Sequence, residues 1–205
     1  MEKQILNRAR WLLIAFFALL CTTFVWADIV VTLNNIGASL STTANTTIQT
    51  TAVTASGSSD SYDLNYYQCK KQNNAIFMTK SASPFIGNKT EMPGNIKSIA
   101  VTTNAGSSGK TTYDVAFGTS AFGAATAGIG AYNIGADASH AYTNSSVEGA
   151  RFFCITLGNA NNGQVLNLVI TCEESGSAEP GGSLTPKNRR IMAGGNERTK
   201  PNDFS

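Results

Sequence analysis

The sequence predicts an all-β protein, an antiparallel β-sandwich of jelly-roll type at residues 28–172 of the 205-residue chain. Short apolar or β-branched runs recur along the chain, and clusters of Gly, Asn, Ser and Pro that are typical of turns separate them. No window of about twelve residues shows the apolar period of a helix. Short strands at close spacing with polar turns are typical of sandwiches and jelly rolls.

The chain begins with the layout of a secretory signal peptide, residues 1–27. Three basic residues precede an uncharged apolar run at 11–25, and Val25 and Ala27 stand at positions −3 and −1 of a cut before Asp28. A membrane anchor is one alternative, although the run is shorter than the roughly 20 residues that span a bilayer. Lipidation of Cys21 is another, although Leu20 stands where a lipobox has a small residue. We expect an exported protein (secreted, periplasmic or at the cell surface) that meets a membrane only through this segment.

Seven strands are predicted within the domain. In chain order they span 29–33, 46–54, 75–79, 96–103, 111–117, 151–157 and 165–171. Alternation places Tyr113, Val115 and Phe117 on the inner face of their strand, with Thr112 and Asp114 outside. The Ser/Thr-rich strand 46–54 is expected at a sheet edge.

Two hairpins and a tail complete the predicted organisation. The loops 104–110 and 158–163 contain Gly and Asn, which tolerate positive φ. We therefore expect each loop to join its two flanking strands into a hairpin. Residues 173–205 carry three prolines and no apolar period. They are predicted to be a disordered tail or linker, because they cannot bury enough surface to offset the entropy of ordering.

Three cysteines remain after removal of the signal peptide, Cys69, Cys154 and Cys172. An exported chain meets an oxidising compartment, and an odd number leaves one thiol free or paired between chains. If Leu157 faces Val165 across the second hairpin, Cys154 and Cys172 lie about 13 Å apart along the ladder. A disulfide needs Cα atoms within about 7 Å. The sequence therefore suggests Cys69 and Cys172 as the disulfide pair and Cys154 as a small core residue.

Composition excludes several functions. Only 14% of the residues are charged and the net charge is +2, so there is no basic excess to displace the counterions of a nucleic acid. The loop 104–111, NAGSSGKT, misses the phosphate-binding P-loop because Asn104 stands where the motif has Gly. A strand, not a helix, is expected after it, so no helix N-terminus faces a phosphate. We expect no nucleic-acid partner, no nucleotide and no cofactor.

The residues that most enzymes use are scarce. His140 is the only histidine, so any Ser-His-Asp, Cys-His or zinc arrangement would depend on it, and we expect it in a surface loop. A two-carboxylate hydrolase needs only two acids that meet in space, and their spacing favours no pair. The oxygen-rich group Asp60, Asp63 and Asn65 does not match an EF-hand loop. We predict no catalytic residue and no metal site.

Three tyrosines, Tyr62, Tyr66 and Tyr67, are the candidate ligand-binding residues. Tyrosine rings stack on sugar rings while the hydroxyl stays in water. Strand alternation would place Tyr62 and Tyr66 on the face of Leu64, with Tyr67 opposite. Packing of two of these tyrosines in the core or at an edge is the alternative.

Four segments, 96–103, 106–118, 153–157 and 165–171, resemble a loose group of secreted β-sandwich domains of bacterial surface proteins. In that group a K-I-x-S-I-x-V-x-T run, a G-x-S-G-x-x-x-Y-x-V segment and a closing V-x-x-I-x-I-x-Y strand recur. The resemblance covers about residues 62–172. At the end of the closing strand, this chain has Cys172 where the group has an aromatic residue. It implies a jelly-roll, carbohydrate-binding-like or adhesion module.

These observations predict a non-catalytic exported binding module, with a glycan or another surface polymer as its first expected ligand. One alternative is a structural or assembly subunit whose Ser/Thr-rich N-terminal segment pairs with a neighbouring sheet edge. A two-carboxylate hydrolase is the other alternative.

Overall fold

The computed structural model describes residues 27–80, 83–107 and 109–174. These residues form a β-sandwich with no helix among them, and hence none long and apolar enough to cross a membrane. Residues 1–26 of the predicted signal peptide and 175–205 of the predicted tail lie outside the described residues.

Twelve strands make up the described part. They are β1 (Ile29–Leu33), β2 (Gln49–Thr54), β3 (Ser61–Tyr67), β4 (Cys69–Gln72), β5 (Ala75–Met78), β6 (Phe85–Asn88), β7 (Asn95–Thr103), β8 (Thr112–Gly118), β9 (Tyr132–Asn133), β10 (Ser139–Thr143), β11 (Phe152–Leu157) and β12 (Gly163–Glu173). All seven predicted strands are present within three residues of their predicted ends. Strands β3, β4, β6, β9 and β10 were not predicted.

The strands form two antiparallel sheets with jelly-roll topology. Sheet A has the order β10-β7-β12-β5-β4, with β1 also paired to β12, and sheet B has the order β2-β3-β6-β11-β8-β9. Four strands of each sheet give the eight-stranded jelly roll: β1-β12-β7-β10 and β6-β11-β8-β9. The predicted fold class is therefore confirmed.

The other four strands form two inserted hairpins, and one hairpin extends each sheet. The β2–β3 hairpin widens sheet B at β6, and the β4–β5 hairpin widens sheet A at β12. Asn73 and Asn74 join β4 to β5 with φ values of 50° and 64°. Two central residues at positive φ define a tight turn whose twist matches that of antiparallel strands. This Asn-Asn pair is the local signal for the insertion.

Both predicted long hairpins are wrong, because β7 and β12 lie in sheet A while β8 and β11 lie in sheet B. The loops 104–111 and 158–162 cross from one sheet to the other at one end of the sandwich. Glycine and asparagine suit crossing loops as well as hairpin loops, so composition did not separate the two. The assumed pairing of Leu157 with Val165 does not occur; Leu157 pairs with Tyr113 and Val165 with Ile76 and Thr103.

The core lies between the sheets and follows the predicted alternation. Tyr113 and Val115 of β8 are fully buried, and Phe117 is nearly so, while Thr112 and Asp114 are partly exposed. The inner side chains of β7, β11 and β12 belong to the same apolar cluster. Sheet B therefore turns one face to this core and presents the other outward.

Candidate binding groove

A groove of about 540 Å³ lies on the outer face of sheet B. We call it the outer groove, and its lining residues are Thr47, Ile48, Tyr67, Ser83, Phe85, Gly123, Ala124 and Ala125. Its volume is within the range of small-ligand sites, and its lining, largely apolar with three hydroxyl groups, is typical of them.

One row of side chains across sheet B forms the floor of the outer groove. Tyr67 of β3 pairs with Phe85 of β6, and their rings stack with centroids 6.3 Å apart and planes 29° from parallel. Gln49 pairs with Tyr66, so the preceding residue, Ile48, continues this row next to Tyr67. Ile48 is 43% exposed. The row therefore runs from a buried phenylalanine to an exposed isoleucine at the sheet edge.

The wall of the groove is a strap of small residues, 119–131, that crosses the outer face of sheet B between β8 and β9. The Asp114 carboxylate accepts the N–H groups of Gly128 at 2.9 Å and Gly130 at 3.0 Å. The Ile129 N–H donates to the Val115 carbonyl at 3.0 Å. A Cβ atom on Gly128 would lie 1.9 Å from that carbonyl oxygen, so only glycine allows this close approach.

A small apolar cluster lies under the strap beside the groove. Phe85, Ala116 and Cys154 are its buried members, and Tyr67 and Phe122 pack against them. The Cys154 thiol lies 3.7 Å from the Ala124 carbonyl, which accepts its hydrogen bond. Burial raises the pKa of this thiol to about 11. Cys154 is therefore a packing residue with little thiolate, as the sequence predicted for the core, although it lies outside the main core.

Two further cavities are present. One of about 330 Å³ shares Ser83 and Ala125 with the outer groove and contains Asp114 on the other side of the strap. The second, of about 400 Å³, is lined by polar residues that include Lys97 and Asn144. The Asn144 side chain is engaged there, because its amide N–H groups donate to the carbonyls of Ile96 and Val147. We take the outer groove as the candidate site because, of these three cavities, it is the one lined by stacked aromatic rings.

The structure separates the three candidate tyrosines as strand alternation predicts. Tyr62 and Tyr66 flank the fully buried Leu64 and are only 7% and 6% exposed. They are core residues, and burial raises the pKa of both phenols. Tyr67 points to the other face and is half-buried in the outer groove. Of the three, the geometry keeps only Tyr67 as a ligand-binding candidate.

The suggested disulfide between Cys69 and Cys172 is not formed. Both thiols are free and buried. Cys69 lies in β4, a strand that was not predicted, and its partner Met78 pairs in turn with Gly163 of β12. Gly163 and Cys172 lie at opposite ends of β12, roughly 30 Å apart at the rise of a strand. Cys154 and Cys172 are also unbonded, as expected, but they lie in different sheets and not along one ladder.

The loop that resembles a P-loop closes one end of the sandwich. The Gln164 side-chain N–H donates to the Gly106 carbonyl at 2.7 Å, and the Gly106 N–H donates to the Asn104 side chain at 3.0 Å. The Ser107 hydroxyl is buried and lies 3.0 Å from that of Tyr113. A strand follows the loop, as predicted. The polar groups of 104–107 are thus directed into the fold.

His140 lies in strand β10, and not in the surface loop that the sequence predicted. Its ring stacks on the ring of Tyr132 with centroids 3.5 Å apart and meets the edge of Tyr142 at 4.9 Å. Tyr132 belongs to sheet B and His140 to sheet A. The histidine therefore contributes to an aromatic contact between the two sheet edges.

Several acids of the domain have structural partners. Asp114 holds the strap, Asp28 forms an ion pair with Lys97 at 3.1 Å, and Glu91 forms one with Arg151 at 3.2 Å. Within residues 27–80, 83–107 and 109–174, no group of three His, Cys, Asp or Glu residues is placed to hold a metal ion.

Sequence reasoning missed Ile48, Phe85 and the strap as parts of the site. Phe85 is the first residue of β6, directly after Pro84. All four residues of this short strand are buried, so no alternation of apolar and polar residues marked it as a strand. The available signal in the strap was its run of Gly and Ala between 121 and 131, which permits close packing on a sheet. No family model matches this chain, and none of the curated proteins matches it.

Proposed function

We propose that this chain is an exported, non-catalytic binding module and that its ligand occupies the outer groove. The carrying observation is the floor of this groove, where the half-buried ring of Tyr67 stacks on the buried ring of Phe85 beside the strap. A surface glycan is the proposed ligand: the C–H face of a sugar ring would stack on Tyr67, and its hydroxyls would face Thr47 and Ser83.

The state of the reactive groups supports a binding role over a hydrolytic one. The carboxylate of Asp114, which lines the cavity next to the groove, accepts two backbone N–H groups. The ring of His140 stacks on Tyr132 and meets Tyr142 edge-on. Burial raises the pKa of the Cys154 thiol to about 11, which suppresses the nucleophilic thiolate near neutral pH.

A glycan array printed with bacterial and host surface polysaccharides tests this proposal. We expect binding to a subset of glycans, weakened roughly fivefold by Tyr67→Ala, because that change removes a stacking partner worth about 1 kcal/mol. Ala124→Trp, which fills the groove from its exposed wall, should also weaken binding. Tyr132→Ala is the matched control, because Tyr132 is exposed outside the groove.

Two results would overturn the proposal. The first is the absence of binding to every polysaccharide on the array. The second is binding that survives both Tyr67→Ala and Ala124→Trp in folded protein, which would place the ligand elsewhere. Export is tested separately by the mass of the mature chain, which should begin at Asp28.

A further inference from the structure

The outer edge of β2 is an open sheet edge. β2 pairs with β3 on one side, and no strand among the described residues pairs with its other side between Gln49 and Thr54. Only at Ala55, just past its end, does a bridge to Leu33 cover that side. An open edge presents unpaired backbone N–H and C=O groups that accept a further strand.

Three of the other sheet edges carry features that discourage pairing, and the outer edge of β1 is partly covered, because the Thr32 carbonyl accepts the Ser56 N–H and Leu33 bridges Ala55. Edge strand β4 contains two lysines: Lys70 lies over the Phe77 ring, and the Lys71 ammonium donates to the Ala38 carbonyl. Edge strand β9 has only two residues. Edge strand β10 carries His140 stacked on Tyr132. Charged side chains and very short strands are the usual means of blocking edge-to-edge association.

Strand β2 has none of these features. No charged residue occurs between Asp28 and Asp60, and no proline occurs there either. Its exposed side chains, Gln49, Thr50, Ala52 and Thr54, are uncharged and mostly small. Ile48, just before the strand, is the exposed isoleucine of the groove row. Two copies of this edge can therefore approach without like-charge repulsion.

We propose that the outer edge of β2 pairs antiparallel with β2 of a second copy of this chain and joins two B sheets into one. A twofold contact requires a surface that complements itself, and the uncharged β2 edge meets that requirement. This proposal does not depend on which ligand the outer groove takes, although Ile48 belongs both to the groove and to the paired segment.

The described residues restrict the register of this pairing. Directly opposed residues of an antiparallel pair point to the same face, so outward Thr50, Ala52 and Thr54 must oppose one another. A twofold axis at Ala52 would bring Gln49 of the second copy against Ala55, where Leu33 already pairs. An axis at Thr51 avoids this conflict and pairs residues 48–54 of both chains. Thr50 of one chain then opposes Ala52 of the other.

The contact area predicts a weak association. Seven paired residues at about 3.3 Å each, on a sheet roughly 10 Å thick, bury on the order of 250 Å² on each chain. Stable complexes bury about 1,200–2,000 Å² in total. We therefore expect a dimer that forms at high protein concentration and dissociates on dilution.

Analytical ultracentrifugation of the purified mature chain, which begins at Asp28, over a hundredfold range of concentration, tests the proposal. We expect the dimer fraction to rise with concentration and Ala52→Lys to abolish the dimer. This lysine would place a charge on the β2 edge, as Lys70 and Lys71 do on β4, and so block edge-to-edge pairing. Thr143→Lys is the matched control on the exposed edge strand β10 and should leave the dimer intact. If Ala52→Lys lowers the melting temperature, Thr54→Lys serves in its place. A monomer at every concentration, or a dimer insensitive to the β2 lysines, would overturn the proposal.

Oxidative cross-linking tests the register. An equimolar mixture of Thr50→Cys and Ala52→Cys chains should form a disulfide-linked heterodimer, because these positions oppose each other across the axis. The parent chain should not cross-link, since its described thiols are buried. Efficient cross-linking of Ala52→Cys chains with one another, without any heterodimer in the mixture, would place the axis at Ala52 and refute the register.

Discussion

The phenol oxygen of Tyr113 on sheet B accepts the backbone N–H of Gln164 on sheet A over 2.8 Å. The same oxygen lies 3.0 Å from the buried Ser107 hydroxyl. One side chain thus satisfies polar groups of both sheets and of a crossing loop, where the two sheets meet at one end of the sandwich.

Tyr113→Phe should lower the free energy of unfolding by about 1–3 kcal/mol, because it leaves the buried Gln164 N–H without its acceptor. Urea unfolding followed by circular dichroism measures the change. Tyr132→Phe, at a tyrosine that is 51% exposed, is the control and should have little effect. Equal stability of Tyr113→Phe and the parent chain would show that this hydrogen bond contributes nothing.

Asn88→Ala should destabilise the fold by about 3 kcal/mol or more, since it breaks several buried hydrogen bonds at once. The Asn88 amide donates to the carbonyls of Thr90 and Arg151, both at 2.8 Å, and its oxygen accepts the Phe153 N–H at 2.7 Å. Thermal unfolding is the measurement, with exposed Asn133→Ala as control. A melting temperature within a degree of the control would contradict this role.

Gly128→Ala should detach the strap from β8, because the added Cβ would lie 1.9 Å from the Val115 carbonyl oxygen. We expect faster hydrogen exchange at the amides of Ile129 and Gly130, read by mass spectrometry. Asp114→Asn should have a smaller effect in the same direction. Gly123→Ala is the control, because its Cβ would meet no atom within 4 Å. Unchanged exchange in Gly128→Ala would mean that the strap is held by other contacts.

Stability should fall as the pH rises above about 9. Burial raises the pKa of Cys154 and of Cys172 from 9.0 to about 11. Because the folded state holds the thiol proton more tightly, this stabilisation is complete below the unfolded pKa and is lost between about pH 9 and 11. Under reducing conditions, the urea midpoint should drop between pH 8 and pH 10.5, and less so in Cys154→Ala/Cys172→Ala. Equal drops in both proteins would assign the effect to other groups, such as the buried phenol of Tyr113, whose pKa burial also raises.

The sequence predicted what depends on local pattern and missed what depends on pairing. Alternation placed Tyr67 opposite Tyr66 and Val115 inside, because a strand's period of two does not depend on its partner. The assignment of β8 and β11 to the other sheet depends on contacts across the whole domain, and no local pattern shows it. The outer groove was missed for the same reason: Ile48, Tyr67 and Phe85 come from three separate segments. The error over His140 was different, because the small polar residues around it masked a five-residue strand.

The pairing of β1 with β12 brings the first and last strands of the domain side by side, with Ile29 opposite Cys172. Closing so long a loop is entropically costly, and topologies dominated by such distant contacts fold slowly. If the chain is exported N-terminus first, β1 emerges long before β12, the one strand with which it pairs among the described residues. The folded state can then be completed only on the far side of the membrane, after the final strand has crossed. The chain therefore stays unfolded, in a form that can pass through a membrane channel, until its transit ends.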